Sequence, residues 1–285
     1  MPTADRRRIS RVGPVALAAA AVVWLAACDV SLGNLTGRAT DEWTRSYQLA
    51  PDGEIQIGNT NGRIDVEASD GQTVEIRAER IARAATDAGA RELLPRLKIR
   101  EEVAPGRIAI ETERMNGLMI GASFEVRYHV RAPKSAAVDA TNTNGAVVVS
   151  GFSGKVAART TNGSVTTKAL TGAVDARTTN GTVNVDLASV NQHVALRTIN
   201  GSVTLRLPED AKADVVATWT NGGIDVSSIK MDVSERSRRR FEGHMNGGGT
   251  PVDLQTTNGG IRIRSRGEGG ESTGDSSDSA SGERR

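Results

Sequence analysis

Gly-x-Ser-x-Gly, the turn that can present a nucleophilic serine, occurs once, at Gly270-Glu271-Ser272-Thr273-Gly274. A nucleophile elbow needs a strand before it and a helix after it. Residues 265–285 are almost entirely Gly, Ser, Glu, Asp and Arg and supply neither, so the match reads as chance. Gly247-Gly248-Gly249 has no following helix to form a phosphate cradle. His129, His193 and His244 fall at unrelated places, with no Cys/His metal spacing. Each reads as a surface or hydrogen-bonded histidine. No cofactor, no metal and no small-molecule substrate is expected.

The sequence is organised instead around a repeated Asn-Gly pair. Copies stand at Asn61, Asn144, Asn162, Asn180, Asn200, Asn221 and Asn258, the middle five 18 to 21 residues apart. A fixed period of this length marks stacked units. Six residues before the Asn come Ile55, Val138, Val156, Val174, Val194, Val215 and Val252. Further apolar columns lie four before, three after and five after it. Alternating apolar residues on both sides of a Gly turn mean two strands, each with one buried face.

Asn-Gly between alternating strands also signals a hairpin, so an antiparallel meander is a competing reading. Like residues in like columns favour a β-solenoid, because stacked coils about 4.8 Å apart let identical side chains meet. Counting by twos from the apolar columns places the seven Asn residues inward as a hydrogen-bonded amide ladder. The fold class is therefore all-β, a solenoid of 18–21-residue coils behind an N-terminal β-rich cap with one short helix.

Around the coils the segments read as follows. Residues 1–27 form a lipoprotein signal peptide: Arg6, Arg7, Arg8 and Arg11 precede a short apolar run ending Leu25-Ala26-Ala27-Cys28. Cys28, the only cysteine, is the expected lipidation site, anchoring the chain to a membrane. Residues 28–41 are a tether. The domain spans 42–264, with the cap and first coil at 42–135 and repeat coils at 136–264. Ala82–Leu94 is the expected helix, capped by Asp87 and ended by Pro95. Strands are expected at 43–49, 73–78, 97–103, 107–112 and 123–131, with a hairpin around Ala104-Pro105-Gly106. Asp232–Gly249 interrupts the repeats, and 265–285 is a disordered tail.

Formal net charge is +2, but residues 1–27 hold four Arg and one Asp, so the mature chain is −1. The basic balance is a property of the leader and argues for no nucleic-acid partner. Aromatics make up only 3% of the chain, too few for platforms that stack sugars or bases.

The repeats, with Val130-Arg131-Ala132-Pro133 before them and Leu207-Pro208 after Asn200, resemble the adhesin-type domain family catalogued as DUF4097. The units at 154–165 and 172–183 carry the resemblance most clearly. It implies solenoid coils in a lipoprotein or envelope setting. One outward column could do chemistry: Arg159, Arg177 and Arg197 lie on consecutive coils and could form an anion-binding stripe, or a solvated face neutralised by nearby acids. The expected protein is a lipid-anchored, non-enzymatic envelope protein, adhesin-like or scaffolding, facing the extracytoplasmic side. Its partner would be another protein or the cell wall. The alternatives are a β-helix enzyme acting on polysaccharide through converging carboxylates and bases, and a structural envelope-stress component.

Overall fold

The computed structural model describes residues 35–113 and 121–266. Cys28, the signal segment, half of the tether and most of the tail lie outside them. In chain order the elements are β1 (Gly37–Gln48), β2 (Glu54–Asn61), β3 (Ile64–Ser69), β4 (Thr73–Ala84), α1 (Asp87–Leu93), β5 (Ile99–Ala104), β6 (Arg107–Thr112) and β7 (Ala122–Pro133). The repeats follow as β8 (Ala137–Asn144), β9 (Val147–Ser150), β10 (Val156–Asn162), β11 (Val165–Leu170), β12 (Val174–Asn180), β13 (Val183–Leu187), β14 (Val194–Asn200) and β15 (Val203–Leu207). Last come β16 (Ala213–Asp225), β17 (Asp232–Arg236), β18 (Arg240–Met245) and β19 (Thr250–Ser265).

The architecture is a β-solenoid. β8, β10, β12 and β14 pair in parallel register, Val138 beside Val156, Val156 beside Val174, Val174 beside Val194. The second arms β9, β11, β13 and β15 do the same. The apolar columns face inward and form one continuous core from Leu49 to Ile263. Small β-branched side chains suit this thin interior, because each strand buries one face only. The stack has no hairpin meander in the repeats; parallel register joins each coil to the next.

Coil order departs from sequence order at both ends. The last copy, on β19, does not follow the Asn221 copy. It sits between β14/β15 and β16, parallel to all three. At the other end β2 and β3 lie between β6/β7 and β8/β9. β6 and β7 thus supply a further coil on the outer side of β2 and β3. The first and last coil segments are each held on both edges, so fraying either requires breaking two ladders.

Antiparallel strands close the stack. β4 pairs β7 and β1 pairs β4. β5 forms the expected hairpin with β6. At the far end the 232–249 interruption is a β17–β18 hairpin lying against the first half of β16. Such covers blunt edges that would otherwise recruit another chain.

Several sequence boundaries shift. Residues 37–41, read as tether, are strand, because β1 pairs with β4 from Gly37 onward. Ala82–Ala84 also belong to β4, so the helix begins at Asp87. Its cap is Thr86, whose hydroxyl accepts from the Gly89 N–H; the Asp87 carboxylate accepts from the Arg38 N–H instead. Ser265, assigned to the tail, is buried beside Leu207.

The corners set the stability of the stack. A Cβ on Gly181 would lie 2.0 Å from the Gly163 carbonyl oxygen, at a φ of +152°. A Cβ on Gly106 would meet nothing within 4 Å. Gly181→Ala should destabilise the protein by roughly 2–4 kcal/mol and Gly106→Ala by less than about 1 kcal/mol, measured by denaturant unfolding.

Candidate functional site

Three side-chain positions define each corner. The Gly after the Asn has φ between +115° and +154° in all seven copies. An added Cβ there would fall 1.8–2.3 Å from a neighbouring backbone carbonyl oxygen. Both conformation and space therefore demand glycine. Two residues before the Asn, Thr160, Thr178, Thr198 and Thr256 are buried. Their hydroxyls donate to the carbonyls of Gly145, Gly163, Gly181 and Gly201 at 2.9–3.0 Å. In the terminal coil Trp219 takes this position and plugs the core.

The Asn side chains do not point inward. Asn61 is half-buried and the other six are exposed. Alternation ends at the corner: register passes from Thr160 beside Thr178 directly to Asn162 beside Asn180, with Thr161 unpaired. The buried place belongs to the Thr, and the chain kinks before the Asn. On the outer corner the Nδ2 of six of the seven donates to an Asn Oδ1 in the adjoining coil at 2.7–2.9 Å. The order is Asn221 to Asn258, Asn258 to Asn200, Asn200 to Asn180, Asn180 to Asn162, Asn162 to Asn144 and Asn144 to Asn61. The ladder is polar, with a spare donor at Asn61 and a spare acceptor at Asn221 among the described residues.

The arginine column is compensated by acids two positions upstream. Asp139 and Asp175 occupy alternate coils with Ala157 between them. Arg159 reaches both, at 3.1 and 3.0 Å, and Arg177 binds Asp175 at 2.6 Å. Arg197 has no ion pair among the described residues. The three therefore do not form a continuous free cationic stripe. The sequence carried this signal in the column five before the Asn, where Asp139, Asp175 and Asp253 alternate with Ala157 and Ala195.

The histidines stay apart, each beside one aspartate: His129 by Asp65, His193 by Asp253 and His244 by Asp214. Among the described residues no group of three His, Cys, Asp or Glu is arranged to hold a metal ion. Two grooves lie near the N-terminal end. A small one of about 270 Å³ is lined by Arg100, Glu102, Arg107, Glu111 and Asp139. Arg100 is bound to Glu111 there. A larger one of about 1000 Å³ includes Asn61, Arg63, Arg83, Phe124 and Glu125. Beneath it Asn59, Thr112 and Tyr128 form a buried network: Thr112 donates to Asn59 Oδ1 at 2.9 Å and shares a 2.7 Å bond with the Tyr128 hydroxyl. Burial pushes the Tyr128 phenol well above its ordinary range, so it stays a neutral structural donor and acceptor.

Two tests follow from this geometry. Asn180 makes two ladder bonds and Asn221 one. Asn180→Ala should cost about 1 kcal/mol and Asn221→Ala about 0.5 kcal/mol in denaturant unfolding. Asp225 is held down at about 2 by the Ser227 N–H and hydroxyl and then by Arg264. A carboxylate depressed in the folded state stabilises above its unfolded pKa, about 3.9, and loses that contribution as pH falls through the folded value. Asp225→Asn should flatten the stability loss between about pH 4 and about pH 2 in acid-unfolding curves.

Comparison with known proteins adds the following. No curated protein sequence matches the chain. A solved structure from Clostridium sporogenes described as a "putative cell adhesion protein" is 10% identical; the match covers 79% of this chain and all of that one, with a TM-score of 0.42. A "putative adhesin" from Bacteroides fragilis is 10% identical over 78% of this chain and 97% of its own, TM-score 0.38. A "putative lipid binding protein" from Parabacteroides distasonis is 12% identical over 78% and 96%, TM-score 0.23. The family model described as Toastrack DUF4097 matches residues 102–264, from the β5–β6 hairpin through β19. Over more than half its length, then, with every complete repeat coil from β8 to β19 inside the match, the chain belongs to the Toastrack DUF4097 family.

Proposed function

We propose that the protein is a lipid-anchored envelope component that works by contact rather than catalysis, as an adhesin-like or scaffolding module. The observation that carries this is the construction of the solenoid exterior. Short Thr, Asn and Asp side chains repeat coil by coil, Arg159 and Arg177 are paired with neighbouring aspartates, and the amides are bonded to one another. Such a surface is rigid and flat, suited to an extended contact with a protein or cell-wall partner.

The address rests on Leu25-Ala26-Ala27-Cys28. Lipid on Cys28, followed by a short polar tether, would stand the solenoid on a membrane from the extracytoplasmic side. Among the described residues no helix is long and apolar enough to cross a membrane.

A second reading attaches to the small groove, where Glu102, Glu111 and Asp139 approach Arg100 and Arg107. Carboxylates beside bases are the equipment of polysaccharide-cleaving β-helices. Release of reducing ends from acidic glycans by the purified protein, abolished in Glu111→Gln, would favour that reading over contact.

For the anchor, metabolic labelling with a fatty acid should mark the wild-type protein and leave Cys28→Ser unlabelled and released from membranes. A labelled Cys28→Ser protein would remove the basis for the lipoprotein assignment. Crosslinking in intact cells should then capture a surface protein or cell-wall fragment on the outward faces of β8–β15.

A further inference from the structure

The far end of the stack is closed on one arm only. In successive coils the corner Gly and the apolar residue two beyond it donate to the next coil: Gly163 N–H to Asn180 O and Val165 N–H to Thr182 O, Gly181 N–H to Asn200 O and Val183 N–H to Ser202 O. β16 is the last coil, with β19 its parallel neighbour on the inner side. The equivalent donors, Gly222 N–H and Ile224 N–H, therefore face outward. β18 covers β16 only across Ala213–Thr218, and the cover ends where the Trp219 N–H bonds to the Arg239 carbonyl. Among the described residues nothing pairs with Gly222–Asp225 on that side. Ile224 and Val226 are half-exposed there, and the ladder ends at the same corner with the spare Asn221 acceptor.

The uncovered edge is bordered by charge. The β17–β18 turn carries Arg236, Arg238, Arg239 and Arg240, all exposed. Arg240 is neutralised by Glu235 and Glu242. The other three have no ion pair among the described residues. The Arg239 carbonyl bond to Trp219 fixes the turn beside the start of the open arm.

The chain has a segment of matching chemistry in reach. Residues 267–283 contain Glu268, Glu271, Asp275, Asp278 and Glu283 and no Lys or Arg. They leave from Arg266, whose N–H is fixed to the Leu207 carbonyl at the end of β19. β19 is the hydrogen-bonded neighbour of β16, so the segment starts about 5 Å to the side of the open edge. The edge is about 13 Å long and the segment could extend to about 55 Å. An antiparallel return past Gly222 would bring its carboxylates to the arginine turn.

We propose that Gly222–Asp225, with Arg236, Arg238 and Arg239, is a strand-docking edge whose occupant is the chain's own acidic segment 267–283. The segment's carbonyls accept from Gly222 and Ile224, and its carboxylates meet the three arginines. A segment of Gly, Ser and acids lacks the apolar surface to order itself, but backbone strand addition needs none. Attachment in cis supplies a high local concentration, which suits a weak, salt-sensitive contact. Docking would pair the open arm and neutralise the arginine turn beside it. This inference is independent of the envelope reading.

The test is amide hydrogen exchange on the full chain and on a chain ending at Arg266, with the Gly201 amide as a control for folding. Gly222 and Ile224 should exchange at least about tenfold more slowly in the full chain. The difference should vanish in high salt and in the triple variant Arg236→Ser, Arg238→Ser, Arg239→Ser. A synthetic peptide of residues 267–283 should restore protection to the shortened chain. Should the shortened chain misfold, a full-length chain with the five acids changed to Gln or Asn should show the same loss. Equal exchange in full and shortened chains overturns the proposal. So does protection of the shortened chain that rises with its concentration, which would identify a second copy as the occupant.

Discussion

The solenoid depends on one close approach. At every corner the α-carbon of a glycine lies so near a carbonyl in the adjoining coil that a Cβ could not be accommodated. This contact sets the coil spacing, and the other stacked interactions operate at the spacing it allows. The buried threonines donate to those same glycine carbonyls, and the asparagines bond one another on the outside of the same bend. Asn-Thr-Gly chemistry is thus divided by depth: hydroxyl within, glycine at the bend, amide without. A coil that lost its glycine would separate all three at once.

A stack built this way must still end. The outermost coil at either end of a parallel stack presents a row of unpaired N–H and C=O groups. The chain deals with this by bringing its first and last coils inside and by laying antiparallel strands over the exposed ones. The N-terminal end is covered on both arms, by β5 over β6 and by β4 over β7. The C-terminal end is covered on one arm by β18. The asymmetry coincides with a change in the repeat itself, where Trp219 replaces the inner threonine and caps the core with a large apolar side chain. The exterior shows the same economy, since like charges stacked one coil apart would repel. Interleaving Asp139 and Asp175 with the arginines turns that column into a network and leaves a surface of short polar groups suited to contact.

The repeat, the parallel stacking and the inward apolar columns were legible in the sequence because each recurs in fixed register. Recurrence made column identity visible, and column identity separated a solenoid from a meander. The β5–β6 hairpin was legible from Ala104-Pro105-Gly106. The direction of the Asn side chains was not. Period-two counting assumes a continuous strand, whereas the chain kinks at Thr161 and its equivalents. Helix onset was hidden for a different reason: Ala82–Ala84 have helical propensity, but pairing with β1 and β7 outweighs it.

What the sequence by itself determined is the local unit: two short strands, a glycine corner and a polar exterior, since these follow from residue type and period. Only the tertiary structure decided the order of the coils. The β19 copy and the Asn221 copy carry similar columns and fit either position equally well by pattern. The choice falls to long-range pairing: β18, folded back against β16, occupies the outer place on its first arm and leaves β19 the inner one. The pairing of Arg159 with acids on two different coils was likewise decided in three dimensions, because it joins residues 20 positions apart on one side and 16 on the other.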